Sequence, residues 1–230
     1  MFFERKATLT KKYTADEAKT MIIDVSTKLF IQKGYEKTSI SNIVKELDGL
    51  TKGAVYHHFA SKDEIIDAVV RRFIPSETAL TAIMENDELN GLERIQTLLF
   101  EGMFNSEASQ SRILSFTLLE NPKFFSMYIR TTNEIMAPLV ETCLIEGNSD
   151  GLFTVDQPKQ MAELSILILS TWFLQALFPN TLETFFEKII AAKVMLENTG
   201  MPIINDGFLK KLDQQIMLKV AELDDQTTEN

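Results

Sequence analysis

Apolar residues along the 230-residue chain recur at helical rather than strand spacing almost throughout. Ala18, Ile22, Val25 and Leu29 follow steps of four, three and four, which predicts one buried helix face. Thr14 and Glu17 have the spacing of a capping box at its start, and Gly34 supplies its end. Two short amphipathic segments follow, Ser39 to Leu47 and Lys52 to His58. Ile40, Ile43, Val44 and Leu47 form the inward face of the first; Leu50, Val55 and Phe59 form that of the second. Gly49 stands where the chain must reverse, a place for a residue that accepts positive φ. Ser61 and Glu64 have capping-box spacing and open a longer helix through Ile65, Ala68, Val69 and Phe73, which Pro75 should kink or end.

Beyond Pro75 the pattern predicts helices at 88–105 and 108–120. Asn121-Pro122 supplies an N-cap and a first-turn proline for a helix running toward Gly147, with Pro138 expected to bend it. Asp156 and Pro158 open a charge-poor helix, Asn180 with Glu183 caps the next, which stops near Gly200, and a last amphipathic helix covers about 205–222. The closing stretch, DDQTTEN, has the composition of a disordered tail. No segment of five or more residues alternates as a strand would, and no repeat is visible. The expected class is all-α.

Composition narrows the possibilities. With 45% hydrophobic and 24% charged residues the chain can bury a core. A single cysteine, Cys143, excludes an internal disulfide framework and fits a reducing compartment. Charges begin at Glu4, so the N-terminus has no run suited to a signal peptide. Residues 164–178, LSILILSTWFLQALF, carry no charge but fall short of the roughly 20 apolar residues a span requires. A helix so apolar belongs in a core or an oligomer interface. No membrane association is expected, and the location expected is cytoplasmic. The net charge of −10 is uneven: residues 1–73 hold 13 Lys+Arg against 10 Asp+Glu, a balance of +3, and the remainder sums to −13. The N-terminal part can approach a polyanion that the rest would repel.

Two short helices joined at a glycine turn, with a helix before them, have the pattern of a helix-turn-helix DNA reader. Polar residues sit where such a reader needs them. Thr38 and Ser39 begin the first short helix, and Thr51, Lys52 and Gly53 begin the second, offering hydroxyls, an ammonium and backbone N–H groups to phosphates. Tyr56, His57 and His58 follow, and Lys62 opens the next helix. With Gly34-Tyr35, Thr38-Ser39 and GLTKGAVYHHFASKDE at 49–64, residues 14–73 resemble the N-terminal DNA-binding domain of the tetracycline-repressor (TetR) family. The resemblance implies DNA-contact roles for Thr38, Ser39, Thr51, Lys52, Gly53, Tyr56, His57, His58 and Lys62, and a packing role for Tyr35. One departure stands out. KELDGLT between Val44 and Lys52 is one residue longer than the common family turn, with Asp48 as the insertion, which can tilt the second helix and alter its base contacts.

Other chemistry finds little support. Adjacent helical histidines point about 100° apart and chelate one ion poorly. No H-x-x-x-H, CxxC or third histidine exists, and Cys143 lacks the strand-turn-helix context of a nucleophile. Neither an enzyme, a metal site nor a cofactor is expected. Residues 74–230 hold 11 of 16 phenylalanines, 8 of 10 methionines and the only tryptophan. Most of these belong to a helical core. The resemblance implies that residues 74–223 also enclose a pocket for a small apolar or aromatic effector, with Phe100, Met103, Phe104, Phe116, Phe124, Met127, Tyr128, Met136 and Trp172 as candidates. It further implies a homodimer through helices near 157–178 and 181–199, and hence a palindromic operator with half-sites about 34–36 Å apart or a little more. The expected fold is thus a three-helix helix-turn-helix domain at 14–73 joined to a helical effector-binding and dimerisation domain at 74–223, with 224–230 as the tail. The expected function is a ligand-responsive transcriptional regulator, most simply a repressor released from double-stranded DNA by its effector. The alternative is a helical binding protein for an apolar ligand or protein partner, with DNA contact serving localisation.

Overall fold

The structure is a computed structural model that describes residues 13–105, 118–175 and 177–228. Among the described residues are ten α-helices, one π-helical segment and no strand. The chain divides into two compact units, Met1–Val69 and Val70–Asn230, and the division falls within one helix.

In the first unit, α1 (Ala15–Lys33) has the expected start and stop. The Thr14 N–H donates to the Glu17 carboxylate at 2.8 Å, the Glu17 N–H donates to the Thr14 hydroxyl at 3.2 Å, and Gly34 closes the helix at φ 81°. Its buried stripe is Ala18, Ile22, Ser26 and Leu29; Ser26 takes the inward place expected of Val25, which is half-buried. Helices α2 (Ile40–Glu46) and α3 (Lys52–His58) are each capped by the hydroxyl before them, Ser39 and Thr51. Between them Leu47 is buried and Gly49 has φ 76°, so the reversal uses the conformation that glycine alone adopts without strain. Helix α4 (Lys62–Arg71) begins with Ser61 accepting from the Glu64 N–H, while the Glu64 carboxylate reaches back to the Ala60 N–H rather than to that of Ser61. Ile22, Leu29, Phe30, Ile43, Val55, Phe59, Ile65 and Ile66 are buried within this unit.

The second unit departs further from the expected elements. Helix α5 (Glu77–Met84), not anticipated, is capped by Ser76 and buries Leu80 and Ile83. The expected helix at 88–105 is α6 (Gly91–Phe100), capped by Asn90, continued by a π-helical segment at Glu101–Asn105. Most of the expected helix at 108–120 lies outside the described residues. Helix α7 (Pro122–Ser149) starts as expected, with the Asn121 side chain accepting from the N–H groups of Lys123 and Phe124, and Pro138 lies inside it. Helix α8 (Pro158–Thr171) stops seven residues short of Phe178. There the chain turns away, and the Lys188 ammonium donates to the carbonyls of Trp172 and Phe178 at 3.4 and 3.2 Å. Helix α9 (Leu182–Asn198) is capped by Thr181 with Thr184, not by Asn180 with Glu183, because the Asn180 N–H donates to the Gln175 side chain. Helix α10 (Asp206–Thr228) runs into the stretch expected to be a disordered tail.

Packing in this unit is tight between α6 and α7. A methyl group on Gly91 would overlap the Cys143 carbonyl, and the Arg94 guanidinium pairs with Glu146 at 2.6 Å. Ile95, Leu98, Leu144, Leu196, Met201 and Ile203 are fully buried.

Candidate functional site

Helix α3 turns a polar ridge outward because its apolar positions are committed inward. Val55 is fully buried and Phe59, the C-cap residue, is 4% exposed. Lys52, Gly53, Tyr56 and His57, spaced i, i+1, i+4 and i+5, are all exposed and share the opposite face. Tyr56 is 47% exposed. The Lys52 ammonium lies 5.9 Å from its ring centroid, and the His57 and His58 rings meet edge-on at 5.3 Å, with His58 half-buried. The Thr51 hydroxyl accepts from the Ala54 N–H and remains exposed. At Gly53 nothing in the fold demands glycine: an added methyl would meet only the Thr51 hydroxyl, at an ordinary 3.7 Å.

Two residues expected on DNA are bonded within the unit in this structure. Thr38 is 1% exposed; its hydroxyl donates to the carbonyls of Gly34 at 2.9 Å and Leu29 at 3.3 Å, joining the end of α1 to the start of α2. Its neighbour Ser39 is exposed and caps α2, donating to the Asn42 side chain and accepting from the Asn42 N–H. The Lys62 ammonium donates to the carbonyls of Tyr35 at 2.8 Å and Thr38 at 3.0 Å and sits 4.0 Å over the Tyr35 ring. Two of its three N–H bonds are thus used within the unit. Tyr35 has the packing role expected of it: it is buried against Phe30, and its hydroxyl donates to Asp63. These contacts tie the N-terminus of α4 to the α1–α2 connection. One sequence cannot separate adjacent hydroxyls into one turned in and one turned out, nor tell a lysine bent inward from one extended. Tyr13 was also missed: its ring lies against the α2–α3 turn, 3.6 Å from where a side chain on Gly49 would begin.

Among the described residues no group of three His, Cys, Asp or Glu side chains lies close enough to hold a metal, and no helix is long and apolar enough to cross a membrane. Cys143 is fully buried with its thiol 3.9 Å from the Met84 sulfur, and burial pushes that thiol up to about 11, leaving it protonated and unreactive near neutral pH.

The second unit holds a partly open cavity of about 460 Å³, within the range of small-molecule sites. Met103, Phe104, Tyr128 and Met136 line it, as expected. Phe100 does not, because its ring packs on Phe104 and Phe208, and Phe124 packs fully buried against Phe73. Met127, half-buried, is not on the wall, and Trp172 lies beside Phe173 and the Lys188 ammonium. Phe116 lies outside the described residues. The wall also includes Phe73, Pro75, Phe173 and Phe185, which no local pattern marks because they come from separate elements. Burial pushes the Tyr128 phenol up to about 12, against the lowering influence of the neighbouring Thr132 and Ser170 groups. Its hydroxyl donates to the Ser170 carbonyl at 3.3 Å.

An exposed polar ridge on the second of two short, turn-linked helices, held from behind by a buried valine and phenylalanine, defines a helix-turn-helix DNA-binding module. Residues 22–69 match the model of the tetR family of bacterial regulatory proteins. The repressor KstR2 of Mycobacterium tuberculosis is 26% identical over 140 residues, covering 59% of this chain and 68% of its own. IcaR of Staphylococcus aureus, negative transcriptional regulator of the icaADBC biofilm operon, is 26% identical over 193 residues, 84% of this chain and all of its own. The solved SmeT–triclosan complex superposes with a TM-score of 0.58 at 19% identity, over 79% of this chain and 90% of that one. Residues 22–69 are thus similar to the DNA-binding domain of the tetR family, and the relatives KstR2 and IcaR are transcriptional regulators.

Proposed function

We propose that the chain is a cytoplasmic, ligand-responsive repressor that binds a palindromic operator as a homodimer. The observation that carries this reading is the α3 ridge, where Lys52, Gly53, Tyr56 and His57 stand exposed over a rigid base. Lys52, Thr51 and Ser39 contact phosphates, while Tyr56 and His57 reach base edges and the adjoining backbone, with His58 at the margin. Gly53, which the fold does not require, lets the DNA backbone approach closely. Thr38 and Lys62 act from behind by fixing α2 against α4. Asp48 lengthens the turn before α3 and so adjusts the pose of the ridge.

The cavity supports the effector role. Phe73, Ile74 and Pro75 line it and directly follow α4, so an occupant bears on the segment that leaves the DNA-binding unit. An effector that favours one arrangement of this segment weakens operator binding by its difference in affinity between the two arrangements. Exposed Leu164 and Leu167 on α8, with Ile190 and Val194 on α9, favour pairing of two copies through these helices. KstR2 and IcaR, both named as negative regulators, favour the repressor sign. Selection of bound duplexes from a random pool tests the proposal: it should enrich a two-fold symmetric sequence, and a pool that stays unenriched at moderate salt overturns it.

A further inference from the structure

The cavity has a distinctive polar inventory. Among the described residues no charged side chain lines it, and the polar side chains on its wall are Tyr128, Thr132 and Ser170. Tyr128 and Thr132 are four residues apart on α7 and therefore on one face. Thr132 is 6% exposed, and its buried hydroxyl makes no hydrogen bond of acceptable geometry, only a loose approach to the Tyr128 hydroxyl that an incoming group can replace. Buried hydroxyls without partners are uncommon and each calls for a reason. The Tyr128 hydroxyl already donates to the Ser170 carbonyl, so what it offers an incoming group is its oxygen lone pairs. Thr132 has a proton to give. A donor and an acceptor thus stand side by side in a wall that is otherwise apolar but for Ser170, built of phenylalanines, methionines, leucines and isoleucines.

We infer that the cavity selects a neutral, largely apolar molecule carrying one hydroxyl, which accepts from Thr132 and donates to Tyr128. The inference rests on reading the cavity as the effector site. A carboxylate or ammonium entering it would lose its hydration with no opposite charge to receive it. An apolar molecule of the same shape would leave the Thr132 hydroxyl unsatisfied. Selection is therefore by charge first and by a single hydrogen-bonding group second.

Fluorescence titration of the full chain with naphthol, naphthalene and naphthoate near neutral pH tests this without DNA. Naphthol should bind about five- to tenfold more tightly than naphthalene, and more than about a hundredfold more tightly than naphthoate. Thr132→Val should remove the preference for naphthol over naphthalene while leaving naphthalene binding and the melting temperature in place, and Thr132→Ser should keep the preference. Naphthoate binding as tightly as naphthol, a Thr132→Val chain that still prefers naphthol, or no binding by any of the three overturns the inference. Should Thr132→Val melt early, Tyr128→Phe provides the same comparison through the acceptor. Failure here alongside an enriched palindrome removes only the ligand class, whereas selective naphthol binding without operator enrichment removes the regulator reading.

Discussion

The two units treat their apolar side chains differently. Among the described residues of the first, Tyr56 is the sole large hydrophobic side chain that stands well exposed, and it stands on the α3 ridge. The second leaves Ile145, Leu164, Leu167, Leu182, Ile190 and Val194 at its surface and keeps a cavity inside. The first is therefore complete as a packed object, and its exposed aromatic marks a working surface. The second is packed as though two things were still to be added, another copy outside and a small molecule within. A rigid reader joined to an adaptable sensor is the division of labour that a ligand-controlled repressor needs.

The largest test of this contrast removes a ring from each unit. Phe59→Ala removes a ring only 4% exposed and should destabilise the chain by about 3–5 kcal/mol, whereas Phe185→Ala at the cavity wall should cost about 1–2 kcal/mol. Equal losses in denaturant unfolding would mean that the cavity is not there. Next comes Tyr128. Because burial raises its folded pKa from 10.0 to about 12, the contribution is whole below pH 10 and disappears as pH climbs through about 12, roughly 3 kcal/mol in all. Unfolding at both ends of that window should show a smaller alkaline loss for Tyr128→Phe than for the native chain; parallel losses would place the phenol in water. A smaller effect belongs to the reader's turn. Gly49→Ala should cost about 1–2 kcal/mol through its left-handed φ alone, since the added methyl meets the Tyr13 ring at an ordinary distance.

Local grammar in the sequence was enough for much of the first unit. Thr14 caps the helix it was expected to cap, Ser39 and Thr51 stand at the helix starts expected of them, and Gly34 and Gly49 take positive φ. These features depend on neighbours within four residues. Features that depend on distant partners were not legible. Thr38 turns inward because the Gly34 and Leu29 carbonyls await it, and Lys62 bends back because two carbonyls and the Tyr35 ring do. In the second unit, Asn180 and Thr181 compete for one cap and Gln175 decides between them. The cavity wall is assembled from segments as far apart as Phe73 and Ile216, so aromatic content signalled a pocket without saying which rings face it.

The central claim is that the outward ridge of α3 meets DNA while Lys62 holds the frame behind it. On the duplex returned by selection, the salt dependence of affinity distinguishes the two roles directly. Lys52→Ala should lower the slope of log affinity against log salt by about 1 and leave stability unchanged. Lys62→Ala should leave that slope intact and lower stability by about 1–2 kcal/mol, having stripped a charged donor from two carbonyls. A Lys62→Ala chain whose slope falls by about 1 while that of Lys52→Ala does not would contradict the account.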